Sequence, residues 1–245
     1  MTSSPVAVVT PPTVVPMDVR TSDSRLIRGA GEALRRLNAR HPWSHNDYFH
    51  GWIRRRLPRT GTPGGAALDV GCGRGLLARR LGRAYDHVLA IDVDPDMVAV
   101  TRGHAAHLPN VEVRWSSIEE VAGEDRFDAI TMVAVLHHLD PRTALPAVRR
   151  LLRPGGRLLV VGLARVDGVV DTVWDLASMV TNPLIGLVLH PTPVRHPVIR
   201  PAAFPTKDPT LSVREVRALL REELPGARLR RRLGFRHTLE WTKPS

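Results

Sequence analysis

The stretch Ala66–Arg80, A-A-L-D-V-G-C-G-R-G-L-L-A-R-R, constrains the fold more than any other part of the chain. A short apolar run, residues 66–70, breaks into glycines at alternate positions, Gly71, Gly73 and Gly75, and the pattern then changes to helical spacing at Leu76, Leu77 and Leu81. That order predicts a buried parallel strand, a tight turn and a helix start. Without Cβ atoms in the turn, a ligand can lie directly against the backbone and the helix N-terminus.

The glycine spacing selects among ligands. A dinucleotide turn, G-x-G-x-x-G, needs its third small residue where Leu76 stands, whereas the glycine here comes one position early, at Gly75. Asp69 ends the strand with a carboxylate that would repel a pyrophosphate and hold an ammonium. The run 87–91 reads as a second strand ending at Asp92, and a carboxylate there can accept two hydrogen bonds from ribose hydroxyls. Adenosine joined to a zwitterionic amino acid, with no phosphate, describes S-adenosylmethionine.

At these residues the chain resembles the class I S-adenosylmethionine-dependent methyltransferases, of the bacterial small-molecule type. L-D-V-G-C-G-R-G is similar to the family's first motif and L-A-I-D-V-D-P-D-M to its acidic second-strand motif. F-D-A-I-T-M-V-A-V-L-H-H-L is similar to its fourth strand and L-L-R-P-G-G-R-L-L-V-V to its fifth, together covering residues 65–162 in the family's order. The resemblance implies an α/β, Rossmann-like, doubly wound seven-stranded sheet, mostly parallel, with an antiparallel C-terminal edge hairpin, an N-terminal helical lid and a helical insertion after strand 5. It implies cofactor contacts from Asp69, Gly71, Cys72, Gly73, Asp92, Val93, Ser117, Ile118 and Val133. Many relatives carry an aspartate at the position of Ser117 to receive the adenine amino group; here a hydroxyl would accept that bond. An H-N-x-x-Y-H-like segment before the glycine motif implies that Asn46 and Tyr48 touch the methionine end, with Trp43, Phe49 and Trp52 as lid packing.

The remaining segments read as follows. Residues 1–20, interrupted by Pro5, Pro11, Pro12 and Pro16, are expected to be a disordered tail, residues 21–60 a helical lid, and residues 61–245 the core with a cap insertion at 163–210. Residues 25–38 carry a helical apolar period. Within the insertion, Pro183 and Gly186 predict two short helices between Val169 and Leu189, serving as a cap or as a dimer contact. Ser212-Val213-Arg214-Glu215 is a capping box that opens a helix through about Glu223, and 228–233 with 237–242 read as a hairpin joined at Gly234. Trp115, closing a third strand at 111–115, is assigned to the core.

The formal charge of +11 raises the question of a nucleic-acid partner. Only two of the 35 basic residues are lysines, Lys207 and Lys243, and the arginines are dispersed, so the charge reads as compositional and no specific nucleic-acid partner is expected. With Cys72 the single cysteine there is no disulfide framework, no metal site is expected, and a cytoplasmic location fits. No apolar run is read as approaching the ~20 residues of a membrane span. The expected partner is a small molecule, apolar or aromatic, met by a monomer or homodimer.

Methyl transfer from a sulfonium is an in-line displacement that asks mainly for alignment and shielding from water. Where the nucleophile must lose a proton, His137 and His138 stand where a general base would stand, although an H-H-L sequence at this place also serves packing. The sequence therefore predicts methyl transfer to a small-molecule acceptor in specialised metabolism. The alternatives are an RNA or protein methyltransferase and a non-catalytic S-adenosylmethionine-binding protein.

Overall fold

The computed structural model describes residues 25–41, 43–57, 64–124, 126–193 and 208–245. The tail at 1–20, residues 61–63 of the linker and most of the proline-rich loop lie outside them. Seven strands form one sheet in the order β3-β2-β1-β4-β5-β7-β6, the strands being β1 Ala66–Val70, β2 His87–Asp92, β3 Val111–Trp115, β4 Phe127–Val133, β5 Leu152–Gly162, β6 Arg228–Arg232 and β7 Arg236–Thr242. β1 to β5 are parallel, and β7 joins β5 antiparallel with β6 outside it. The strand order reverses between β1 and β4, which opens a crevice at their carboxyl ends.

Helices cover both faces because the inner strands are apolar on both sides. α6, Pro141–Leu151, and α8, Val213–Glu223, pack on Leu68, Ile130, Leu158, Val160 and Leu239. The opposite face carries α3, His50–Arg56, and α4, Leu76–Leu81, over Ala67, Val88, Ala129, Leu159 and Val161. Alternation along β5, Leu158 and Val160 one way and Leu159 and Val161 the other, is the period-2 pattern of a doubly covered strand. Each of these β5 side chains is fully buried, so truncating Leu158 to alanine costs about 2 to 5 kcal/mol.

The caps follow the sequence closely. Asp94 accepts from Asp96 N ahead of α5, Pro95–Ala105, and Asp140 accepts from Arg142 N ahead of α6, each with proline in the first turn. Ser212 and Glu215 form the expected reciprocal capping box of α8. α1, Arg25–Arg40, lies along α7, Val169–Leu189, and α2, His45–Tyr48, is a single turn between α1 and α3.

Three expectations are corrected. α7 is one helix of 21 residues, not two short ones. Pro183 is accommodated inside it, and Gly186 lets it touch the preceding segment: a Cβ there would sit 2.4 Å from the His41 carbonyl oxygen. The helix is also long and apolar enough, by length and composition alone, to cross a membrane, contrary to the reading that no run approaches that size. Its stripes are inverted, however. Asp171, Ser178, Asn182 and Gly186 are buried, while Val170, Val173, Val180, Leu184 and Leu187 face outward. Trp115 is likewise not core: it is 66% exposed at the end of β3. β5 starts at Leu152, with a register irregularity against β4 between Phe127 and Ala129.

Candidate active site

The glycine turn after β1 folds back under its own bonds. Cys72 N donates to Ile91 O at 3.0 Å, and Gly75 N donates to Cys72 O at 2.9 Å. Gly71, Gly73 and Gly75 all have positive φ, 65°, 53° and 72°. At Gly71 an added Cβ would strike Val135 Cγ2 at 2.2 Å, and at Gly75 it would strike Thr101; at Gly73 it would meet nothing within 4 Å. The outer two glycines are thus demanded by packing, while the middle one leaves open space at the turn's apex. The Cys72 side chain turns away toward Thr101, and burial pushes its thiol up to about 12, so it is no nucleophile.

Two carboxylates flank this turn in different states. Asp92 is fully engaged, accepting from Gly73 N at 2.8 Å on Oδ2 and from Asp94 N at 3.0 Å on Oδ1, and each oxygen keeps a lone pair. Asp69 accepts from the Thr131 hydroxyl at 2.7 Å on Oδ1, but its buried Oδ2 has no partner. Burial raises its carboxyl to about 7, against the Thr131 bond, and the negative charge of Asp92 adds to the rise. It is a carboxylate waiting for a cationic or donating partner.

Beyond β2, Val93 is 65% exposed and its carbonyl accepts from Trp115 Nε1 at 3.0 Å, so the indole stands beside the β2 end. The loop after β3 brings Ser117, half-buried, and Ile118, fully buried, to the same side. The carboxylate absent at Ser117 is supplied nearby: Glu120 Oε2 accepts from Ser117 N at 2.9 Å and from Ser116 Oγ at 3.1 Å. These bonds hold the Glu120 carboxyl below its usual range. Glu120 was not among the residues singled out from sequence, although its place three residues after Ser117 is that of a local turn partner.

At the end of β4, Val133 is partly buried and Ala134 holds φ of 58°, a left-handed conformation costing a non-glycine residue about 1–2 kcal/mol. Its N–H donates to Val161 O at 2.7 Å, which pins the turn to β5. A 3-10 turn, Leu136–His138, follows, and the two histidine rings lie 4.0 Å apart. They part company in environment. His137 lines an apolar cavity with Leu136, Leu163, Leu211, Leu220 and His237, whereas His138 is exposed.

The aromatic segment and α7 are in direct contact. Trp43 Nε1 donates to Asn182 O at 3.1 Å, His45 Nε2 lies 2.5 Å from Asn182 Oδ1, and His41 Nδ1 lies 2.6 Å from His190 O. Asn46 Oδ1 accepts from Arg236 at 3.2 Å, which joins the same segment to the start of β7. Tyr48 is 51% exposed, edge-on to Trp43 and Phe49. Phe49, Trp52 and Ile53, by contrast, are built into the core beneath the sheet face. From Phe49 onward the expected lid is therefore core.

Two residues at the start of β7 escaped the sequence reading. His237 pairs with Gly162 at the carboxyl end of β5, and its ring lies where a glycine Cβ would be, 2.4 Å from its Nε2. Both ring nitrogens are buried without a partner, and burial, then the charge of Arg236, lowers its pKa to about 4. Arg236 is treated below. A cavity of about 450 Å³ lies between α8 and β6, along the outer edge of the sheet.

Residues 68–160 match the model of a methyltransferase domain family. An uncharacterised methyltransferase of Mycobacterium tuberculosis is 34% identical over 211 residues, covering 83% of this chain and 98% of the relative. A ubiquinone biosynthesis O-methyltransferase of Xanthomonas campestris is 40% identical over 111 residues, 44% of this chain and 46% of that protein. The fold matches a SAM-dependent methyltransferase from Aquifex aeolicus with a TM-score of 0.54 at 18% identity, covering 87% of this chain and 98% of that one. It also matches the N-methyltransferase NodS of Bradyrhizobium japonicum, crystallised with S-adenosyl-L-homocysteine, with a TM-score of 0.53 at 17% identity, over 87% and 98% of the two chains. Fold and site define a class I enzyme. The chain belongs to the S-adenosylmethionine-dependent methyltransferases.

The residues present fit that cofactor. The turn is open above Gly73, the Asp92 carboxylate retains acceptor capacity where a ribose would lie, and the orphaned Oδ2 of Asp69 suits a ligand bearing an ammonium.

Proposed function

We propose that this enzyme methylates a small-molecule acceptor at the carboxyl ends of β4 and β5. Asp69, the glycine turn from Gly71 to Gly73, Asp92 with Val93, and Ser117 with Ile118 would hold the cofactor, with Val133 at the methyl end. Bound S-adenosylmethionine supplies a methyl group already activated on a sulfonium. What is asked of the chain is alignment of an acceptor with that methyl and exclusion of water, a contribution of several kcal/mol.

The observation that carries this reading is the convergence of three separate segments on the end of β5. Residues 43–46, the middle of α7 and the β6–β7 turn meet there through Asn182 and Arg236, and recesses of about 40 Å³ lie beside His237. Such a roof suits an acceptor buried by aromatic and apolar side chains and oriented by a few polar groups. His137, half-buried in the apolar recess, is placed to take a proton from the acceptor, and the exposed His138 supports it by ring contact. Trp43 and Tyr48 would close from above.

The ubiquinone biosynthesis O-methyltransferase, matched over 46% of its length, supports the reading without naming the acceptor. Incubation with methyl-tritiated S-adenosylmethionine and fractionated bacterial extract tests it. Label is expected in the low-mass organic fraction; label confined to RNA or protein would overturn the proposal.

A further inference from the structure

Arg236 is a half-buried cation with no carboxylate partner among the described residues. It opens β7, and because His237 pairs with Gly162 its side chain stands at the carboxyl end of β5. Its Nη2 donates to Asn46 Oδ1 at 3.2 Å, its Nη1 reaches Phe235 O only at 3.4 Å, and its Nε is buried with no partner. Among the described residues no carboxylate lies within ion-pair distance of it. Its neighbours are treated differently: Arg231 is paired with buried Asp171, Arg56 with Glu240 and Arg165 with Glu215. Burial alone lowers the Arg236 guanidinium to about 10. Among the described residues no carboxylate of the fold offsets the desolvation of that charge.

The surroundings describe what would offset it. Beside Arg236 lies a recess of about 40 Å³, room for a carboxylate and little more, reached by Ser178 and His237. Its lining carries four arginines, Arg165, Arg231, Arg232 and Arg236, against two aspartates, Asp171 and Asp175. Asp171 is neutralised by Arg231, and burial pushes the Asp175 carboxyl toward its neutral form. Trp174 and Phe235, 38% and 39% exposed, wall the recess with aromatic surface. The unpartnered His237 ring, held neutral, has one N–H to give.

Strand spacing decides which ligand this cation serves. At ~4.8 Å per strand, β7 is two steps, roughly 10 Å, from β4 and three steps, roughly 14 Å, from β1. The turn proposed for the cofactor is at β1, so Arg236 stands on the acceptor's side.

We propose that Arg236 is the anion subsite of the acceptor pocket, and that the acceptor is an aryl carboxylic acid whose carboxylate lies on Arg236 while its nucleophile points to the end of β4. The planar guanidinium, which keeps a second N–H on each Nη beyond the bonds to Asn46 and Phe235, presents a fork that a carboxylate takes in two parallel hydrogen bonds. With the carboxylate filling the recess, the ring would lie at its mouth against the exposed faces of Trp174 and Phe235, and His237 would donate a further bond. This substrate class rests on the small-molecule reading above.

The test uses the full-length enzyme saturated with S-adenosyl-L-homocysteine, titrated by calorimetry with benzoate and with benzamide, which share shape and differ in charge. Wild type is expected to bind benzoate at least tenfold tighter than benzamide. R236Q should erase that preference, keep its affinity for S-adenosyl-L-homocysteine within about twofold, and melt at or above the wild-type temperature, because it removes a half-buried charge with no carboxylate partner. R236K, retaining charge without the fork, should recover part of the preference. Equal or undetectable binding of both probes by wild type would overturn the subsite, as would an unchanged preference in R236Q. Loss of S-adenosyl-L-homocysteine affinity in R236Q would instead assign the guanidinium to the cofactor. None of these outcomes bears on whether label enters the low-mass fraction, so the two proposals fail separately.

Discussion

The carboxyl ends of β1 and β2 and the carboxyl end of β5 belong to one sheet, yet they are finished in opposite ways. At β1 and β2 the polar groups are closed on one another over short sequence distances: Asp92 ties Gly73 and Asp94, Thr101 ties Gly73, and Glu120 ties Ser116 and Ser117. Asp69 Oδ2 stands beside the turn without a hydrogen-bond partner. At β5 the contacts run between distant segments, as from Asn46 to Arg236 and from His45 to Asn182, and leave Arg236 Nε and both nitrogens of His237 without partners. α7 contributes to this by burying its polar stripe there and turning its apolar stripe outward. A site for an invariant ligand can be built from local motifs; a site for a particular acceptor is assembled from whatever the insertions bring to the same edge.

The comparison breaks most visibly at Gly71. Alanine there requires φ of 65° in a residue with a Cβ and places that atom 2.2 Å from Val135. Strain of about 1–2 kcal/mol together with a packing cost of about 1–3 kcal/mol should lower affinity for S-adenosyl-L-homocysteine by roughly a hundredfold. Calorimetry measures this, and an effect under threefold would mean that the turn can relax away from Val135.

Asp92→Ala should come next, at about 1–3 kcal/mol of cofactor affinity, since it removes acceptors and leaves Gly73 N and Asp94 N unpaired. Unchanged affinity would remove Asp92 from the site. On the other side, Asn182→Ala deletes the side-chain bonds to His45 and Asn38 and should cost about 1–2 kcal/mol of stability by denaturant titration. Its affinity for S-adenosyl-L-homocysteine should stay within twofold. A large loss of cofactor affinity in this variant would dissolve the division between the two ends.

The smallest effect is a proton. Asp69 has a folded pKa of about 7, above its ordinary 3.8, so in the cofactor-free protein its contribution to stability is full below 3.8 and is lost as pH rises through about 7. A cationic partner at Oδ2 would favour the ionised form. Cofactor binding near pH 6 should therefore release up to one proton, seen as a dependence of the calorimetric enthalpy on the buffer's ionisation heat, and Asp69→Asn should abolish it. Binding without proton release would place the ammonium elsewhere.

What could be read in advance follows the same line of division. β1 and β3 occupy the residues expected of them, and the caps at Asp94, Asp140 and Ser212 are local signals. The helix of 21 residues was misread because a proline and a glycine were taken as local breaks. Gly186 is in fact a point of close approach to His41, which no local pattern records. Trp115 was assigned to the core from hydrophobicity alone, though as the last residue of its strand it stands beside the ligand crevice. Arg236 could not be told from other arginines in a chain so rich in them, because what sets it apart is a missing partner. His237 and the left-handed Ala134 are likewise defined by strand pairing and backbone conformation, not by residue type.

Hydrogen exchange with and without S-adenosyl-L-homocysteine tests the division most directly. Peptides covering residues 69–75, 92–94 and 115–118 are expected to gain protection, together with residues 43–48 if these close over the ligand, while residues 50–56, already core, and the body of α7 should exchange as before. Protection gained along 169–189 and 236–237 with no change at 69–75 would contradict the account and place the cofactor at the other end of the sheet.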